Sequence, residues 1–377
     1  MINFDKNKLQ TPYFIVDEKL LIHNLEILAD VKRQTGCEIL LAQKGFSMYH
    51  LYPTIAKYLD GTCASGLHEA LLAHEYFDGE NHVFSPAFTE GDFPKIFEVC
   101  QHFVFNSFSQ WQRFKHHFKG VAGKSCGMRI NPQHSTQGGG IYDPCSEGSR
   151  FGVTLEHFEG QCLEGLEGLH FHTLCQQGAE DLVSTWQAFE AQFGEVLHHM
   201  KWVNLGGGHH ITREGYNTPL LVSLIENIKE KYNIQVYLEP GEAIALNAGF
   251  LVSSVVDIVN NGIDIAVMDA SAACHMPDVL EMPYRPHIID SGMPDEKPHT
   301  YRLGGPSCLA GDVIGDYSFN APLKIGDRLI FTDMAIYSMV KTNTFNGIKL
   351  PDIAVCRENG DVEVVKTFGY DDFKSRL

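Results

Sequence analysis

Glu38-Ile39-Leu40-Leu41-Ala42-Gln43-Lys44 is an apolar run of strand length that stops at an amine. So short a run, bounded by polar residues, reads as a strand buried on both faces. The pattern repeats along the chain. Tyr58-Leu59-Asp60-Gly61-Thr62-Cys63-Ala64 leads to Ser65, Val83-Phe84 to Ser85-Pro86, and Phe103-Val104-Phe105 to Asn106. Gly127-Met128-Arg129-Ile130 precedes Asn131, and Leu169-His170-Phe171 precedes His172. Trp202-Val203-Asn204-Leu205 precedes Gly206-Gly207-Gly208, and Val236-Tyr237-Leu238 precedes Glu239. Between the runs lie amphipathic stretches, in which Leu21, Leu25 and Leu28, then Leu182, Trp186 and Phe189, recur at helical spacing.

About eight strand–helix units is the number that closes a parallel barrel. An open doubly wound sheet shares the alternation, so the count is what favours the barrel. The expected fold is therefore α/β, with a (β/α)8 barrel over residues 15–247. Most of the runs end in a small, polar or ionisable residue, and barrel chemistry gathers at the C-terminal ends of strands. Lys44, Asn131, His172, the three glycines and Glu239 are then expected to face one mouth.

After residue 247 the rhythm changes. Leu251-Val252-Ser253-Ser254-Val255-Val256, Ile263-Asp264-Ile265-Ala266-Val267 and Arg328-Leu329-Ile330-Phe331 read as strands without long helices between them, punctuated by Gly and Pro. A second, mostly β domain is expected from residues 248–377 together with residues 1–14.

Bulk properties narrow the function. The 377 residues carry a net charge of −18, which disfavours nucleic acid and suits a cationic small substrate. Acidity for solubility explains the charge equally well. The most apolar long segment, Gly249–Met268, is broken by Asp257, Asn260, Asn261 and Asp264, so no membrane span is expected. The start Met1-Ile2-Asn3-Phe4-Asp5-Lys6 lacks an export pattern, and a cytoplasmic location is expected. Ten cysteines scattered through apolar segments then read as reduced thiols.

A lysine directly after a buried strand is costly to enclose unless it is neutral, paired or covalently bound. An amine held there loses its proton readily and can condense with an aldehyde. A side chain that runs out to water explains the position just as well. Gly206-Gly207-Gly208 can close its N–H groups on a phosphate, or simply make a tight turn. Glu239 can hold a protonated pyridine nitrogen, or serve as a turn acid. Strand alternation sends His170 and His172 to one face with Cys175 nearby, but no carboxylate partner is evident, so no metal is expected. His209-His210 reads as structural or substrate-lining.

In order along the chain, Ala42-Gln43-Lys44, Cys63-Ala64-Ser65-Gly66, Gly168-Leu169-His170-Phe171-His172, Gly206-Gly207-Gly208 and Glu239-Pro240-Gly241 resemble the fold-type III pyridoxal-phosphate decarboxylases. Gly305-Pro306-Ser307-Cys308 and Asp333-Met334-Ala335-Ile336-Tyr337 complete the resemblance in the second domain. That family includes the ornithine/arginine and diaminopimelate decarboxylases and is related in fold to alanine racemase. Each motif is weak alone; their order over nearly the whole chain is not. Gln43-Lys44-Gly45-Phe46-Ser47, Glu239-Pro240-Gly241-Glu242 and His275-Met276-Pro277-Asp278-Val279-Leu280-Glu281-Met282-Pro283-Tyr284 look like the branch that acts on carboxylated polyamines.

The resemblance implies roles. Lys44 carries pyridoxal 5'-phosphate covalently, His172 stacks on its ring, and Gly206, Gly207, Gly208 and Tyr337 bind its phosphate. Glu239 bonds the pyridine nitrogen. Cys308 of the partner subunit returns a proton after CO2 leaves, in a homodimer with shared sites. The chain also departs from the family's pattern. Glu242 stands where arginine is usual, Leu309 where an acid usually reads the distal amine, and Cys175 where serine commonly meets the phosphate. Glu242 and Asp278 are therefore expected to grip the amines of a long cationic substrate, with Glu281 a third candidate. The alternatives are a diaminopimelate or ornithine/arginine-type decarboxylase, which Glu242 and Leu309 disfavour, and a non-catalytic cofactor-binding homologue. An alanine racemase would need a tyrosine base where Cys308 stands.

Overall fold

The computed structural model describes residues 2–138, 140 and 142–377. The chain divides into two compact units, Ile22–Ile244 and the remainder on either side of it. The first strand, β1 (Tyr13–Asp17), belongs to the second of these.

Eight strands follow in the first unit: β2 (Glu38–Ala42), β3 (Gly61–Ala64), β4 (Glu80–Phe84), β5 (His102–Phe105), β6 (Ser125–Arg129), β7 (Gly168–His170), β8 (Trp202–Asn204) and β9 (Gln235–Leu238). All pair in parallel with their sequence neighbours, and β2 pairs with β9 at Glu38↔Tyr237, so the sheet closes as a barrel. The expected barrel is the fold observed. Its helices are those the spacing marked. Leu21, Leu25 and Leu28 lie on the helix Glu18–Thr35, and Leu182, Trp186 and Phe189 on Ala179–Leu197. The three leucines are fully buried, each contributing about 2 kcal/mol against solvent. The helix Thr218–Tyr232 is capped by Asn217, which accepts from Leu220 N at 3.2 Å, and it ends at Asn233 in the left-handed region.

One strand is longer than its apolar letters suggest. β4 begins at Glu80, three residues before Val83. Its early positions are polar but satisfied: Asn81 Nδ2 donates to Ala70 O at 2.8 Å and to Val99 O at 3.2 Å. His82 Nε2 lies 2.8 Å from Glu80 Oε2, and the rings of His82 and His102 stack 4.1 Å apart with 15° between their planes. These three residues offer ligand atoms within 4.8 Å of one another. Near-parallel rings, however, hold their in-plane lone pairs in separate, nearly parallel planes, so a metal in the plane of one ring lies out of the plane of the other. Burial pushes His102 down to about 3, so it is a neutral ring in a stacked polar layer. The layer sits at the N-terminal ends of β4 and β5, the end of the barrel away from Lys44.

The second unit is a sheet made of β10 (Gly249–Asn260), β11 (Asp264–Met268), β12 (His299–Gly304), β13 (Val313–Phe319), β14 (Arg328–Thr332), β15 (Asp352–Cys356) and β16 (Val362–Lys366), with β1 inserted between β10 and β15. β1 runs antiparallel to β10 (Phe14↔Leu251) and parallel to β15 (Ile15↔Ala354). Its period-2 pattern feeds two cores. Phe14 packs with Leu251, Tyr317, Phe331 and Met334, while Tyr13 and Ile15 pack with Phe250, Val252 and Ile330 on the other face. The apolar segment Gly249–Met268 is β10 and β11, and no helix of the described residues is long and apolar enough to cross a membrane. All ten cysteines are free.

Candidate active site

Lys44 follows β2 by two residues, and its amine stands 3.5 Å from His172 Nε2, two residues beyond β7. Solvent reaches Lys44 even though protein surrounds most of it, so it occupies a recess at the barrel mouth. Burial lowers its pKa, and the nearby Arg129 guanidinium lowers it further. Burial likewise holds His172 well below the usual range, with Lys44 and Arg129 adding to the effect. The ring is thus neutral. Its Nδ1 accepts from Gly207 N at 3.0 Å, which fixes its tilt and leaves Nε2 toward the amine.

The glycine turn after β8 is closely packed. Gly208 has φ +88°, and a Cβ there would lie 1.8 Å from Leu174 O. Two of the three amides expected to meet an anion are bonded within the barrel: Gly206 N donates to Asn204 Oδ1 at 2.8 Å, and Gly207 N to His172. Packing of β7 against β8 accounts for them, and sequence spacing could not show it.

Glu239, one residue beyond β9, is buried. Burial works against its charge, but His170 at 3.2 Å and the Cys63 thiol more than offset it, and its pKa falls to about 2. Asn204 Nδ2 donates to its other oxygen at 2.7 Å. Burial keeps His170 neutral, so it donates Nε2–H and leaves Nδ1 as a buried acceptor unmatched among the described residues.

Arg129, His170, Asn204 and Cys63 received no role from the sequence. The Arg129 guanidinium lies over the rings of Phe84 and Phe151, 4.5 and 4.4 Å from their centroids, and donates to His172 O at 3.1 Å. Burial lowers its pKa to about 10, which still leaves it charged. An arginine inside an apolar barrel strand is expensive, and that cost was the legible signal.

Glu242 follows the Glu239-Pro240-Gly241 turn. Its oxygens accept from Gln176 Nε2 at 3.1 and 3.2 Å, and Oε2 lies 2.9 Å from His210 Nε2. His209 bonds Tyr216 through Nδ1 at 2.9 Å, and burial pushes its pKa down to about 4.

The remaining candidates lie in the sheet unit. Asp278 and Glu281 share one helical turn and both bind Lys341, the latter at 2.7 Å. Cys308 is exposed on the loop after β12, and its N–H donates to Asn346 Oδ1 at 2.7 Å. Tyr337 adopts φ +51° after β14.

The barrel residues suit pyridoxal phosphate. An aldehyde needs an amine of lowered basicity, and Lys44 is one. A pyridinium needs a carboxylate that stays ionised when buried, and Glu239 is held that way. The glycine turn admits no side chain, and the His172 ring presents a flat neutral surface beside the amine. A closed parallel barrel with this set defines an aldehyde-cofactor lyase or isomerase of the barrel type.

Comparison with known proteins takes this further. The family model described as pyridoxal-dependent decarboxylase, C-terminal sheet domain, matches residues 14–335. A carboxynorspermidine/carboxyspermidine decarboxylase of Campylobacter jejuni is 41% identical over 98% of this chain and 99% of its own length. A carboxyaminopropylagmatine decarboxylase of Synechocystis sp. is 42% identical over 98% of this chain and 96% of its own. The crystal structure of carboxynorspermidine decarboxylase from Campylobacter jejuni complexed with norspermidine superposes with a TM-score of 0.92 at 40% identity, covering 98% of this chain and 100% of the other. The chain belongs to the pyridoxal-dependent decarboxylase family and uses pyridoxal phosphate.

Proposed function

We propose that this chain decarboxylates carboxynorspermidine and carboxyspermidine to norspermidine and spermidine, as a cytoplasmic homodimer in polyamine biosynthesis. What supports the reading is 41% identity over nearly the whole of both chains to a relative of that name, with the Lys44–His172–Glu239 set complete. When bound, pyridoxal phosphate supplies the electron-accepting ring that takes up the pair released as CO2 departs. Lys44 would hold the cofactor through its amine, His172 would flank its ring, and Glu239 would hold a proton on the pyridine nitrogen. Gly208, whose neighbours' amides are already bonded, is the glycine best placed to donate to the phosphate. The mouth's fixed groups orient the bond to be cut, which contributes much of the rate. Cys308 of the partner subunit then donates a proton to the carbon that has lost CO2.

Glu242 and Asp278 read the substrate's amines. Each is already engaged, Glu242 by Gln176 and Asp278 by Lys341. A polycation therefore competes with internal donors rather than entering empty carboxylates. This tunes affinity, since a paired carboxylate still attracts but less strongly.

A second reading, decarboxylation of carboxyaminopropylagmatine, is favoured by the Synechocystis relative. The two readings differ at the distal end, ammonium against guanidinium. CO2 release from carboxynorspermidine, carboxyspermidine, carboxyaminopropylagmatine, diaminopimelate and ornithine separates them. The first two are expected to give the highest kcat/KM; preference for the third supports the second reading, and preference for either amino acid overturns both.

A further inference from the structure

A closed circuit of contacts runs around Cys308. Asp312 is 4% exposed, and its carboxylate accepts from Ser271 Oγ at 2.8 Å, Ala273 N at 3.2 Å, Ser307 Oγ at 2.6 Å and Ser307 N at 3.3 Å. Its main chain grips the same loop, accepting from Gly305 N at 2.8 Å and donating to Leu309 O at 2.9 Å. A Cβ on Gly305 would lie 2.3 Å from Asp312 Oδ2, so glycine is required for the loop to close over the carboxylate. On the other side, Asn346 takes the Cys308 N–H directly. Asn346 has φ +56°, a conformation asparagine tolerates better than most residues. Its turn is tied back by Asn343, which donates N–H to Cys274 O at 2.9 Å and Nδ2–H to Ala273 O at 2.7 Å.

Both arms of the circuit therefore end on the single helical turn Ala272–His275. The same segment continues into Asp278 and Glu281. Cys308 is exposed, so its thiol is placed by its backbone rather than by packing. A loop with an exposed thiol and a buried four-donor acid beneath it is built more rigidly than a surface turn requires.

We propose that Asp312 and Asn346 are positioning residues for Cys308, fixing the thiol so that its proton reaches the carbon that has lost CO2. This rests on the reading of Cys308 as proton donor. In that step the S–H bond breaks, a C–H bond forms with the electron pair CO2 left behind, and the thiolate regains a proton from water. With the thiol out of line, that pair would instead take a solvent proton at the cofactor's own carbon; hydrolysis would then release a carbonyl product and pyridoxamine 5'-phosphate, and turnover would stop.

Three substitutions test the circuit. Asn346→Gly keeps the backbone conformation and removes only the acceptor, Asn346→Asp keeps both, and Asp312→Asn puts donors where acceptors are needed. In the holoenzyme, Asn346→Gly and Asp312→Asn are expected to lower kcat roughly ten- to hundredfold. KM is expected to stay unchanged, with pyridoxamine 5'-phosphate rising in each turnover and Asn346→Asp restoring both values. In the cofactor-free protein, hydrogen exchange at the Cys308 amide is expected to quicken in Asn346→Gly alone of the two Asn346 variants. Wild-type kcat with no pyridoxamine phosphate in Asn346→Gly and Asp312→Asn overturns the proposal. So does equal impairment of Asn346→Gly and Asn346→Asp. Cys308→Ala separates the two levels: full activity there removes the proton-donor reading itself, whereas impairment there with unimpaired Asn346→Gly and Asp312→Asn removes only the positioning role.

Discussion

Lys44, His172, Gly206 and Glu239 each stand within two residues of a barrel strand's end, whereas Asp278, Cys308 and Tyr337 stand on loops of the sheet unit. In the barrel, the parallel ladder aims the groups, and second partners trim their angles: Gly207 N on His172, Asn204 on Glu239. In the sheet unit, side chains do the aiming. Lys341 spans Asp278 and Glu281, and Asp312 with Asn346 spans the Cys308 loop. The difference separates two tasks. On the proposed roles, the groups that hold the cofactor ring sit on the rigid frame, while Asp278 and Cys308, which would meet the substrate, sit on loops that can change without disturbing it.

If that division holds, damage should scale with it. Glu239→Gln keeps the shape of the side chain but removes its charge and turns one of its two accepting oxygens into a donor. Its kcat is expected to fall roughly a hundredfold, in line with loss of one preorganised electrostatic partner, with little change in KM by steady-state kinetics. A near-normal kcat would mean that the carboxylate is only structural. In the sheet unit the expected effect is smaller and lies on the other constant. Lys341→Met frees Asp278 and Glu281 from their internal cation. The KM for a carboxylated polyamine is expected to fall about three- to tenfold at low ionic strength, the worth of one partly exposed charge contact. The kcat is expected to be preserved, and Lys341→Arg is expected to behave as wild type. An increased KM in Lys341→Met would show that the lysine supports the substrate rather than competing with it.

Much of this was legible in the letters. The barrel showed because its strands are apolar runs ending in chemistry-bearing residues, and Lys44, His172 and Glu239 are such endings. β4 was read short because Glu80, Asn81 and His82 are polar, and only their partners in space make them strand residues. Arg129 drew no reading and His170 was weighed only as a metal ligand, because their partners Phe84, Phe151 and Glu239 lie across the barrel, which spacing along the chain does not encode. The pairing of Asp278 with Lys341, 63 residues away, was invisible for the same reason. Glu242 stood out as a charge reversal, but its hydrogen bonds from Gln176 were not foreseeable.

The central claim is that Lys44 is the covalent anchor of pyridoxal phosphate. Reduction of the holoenzyme with borohydride, followed by peptide mass spectrometry, tests it most directly. A single pyridoxyl-phosphate adduct is expected on Lys44, absent from Lys44→Ala. An adduct on another lysine, or an undiminished adduct in Lys44→Ala, would contradict it.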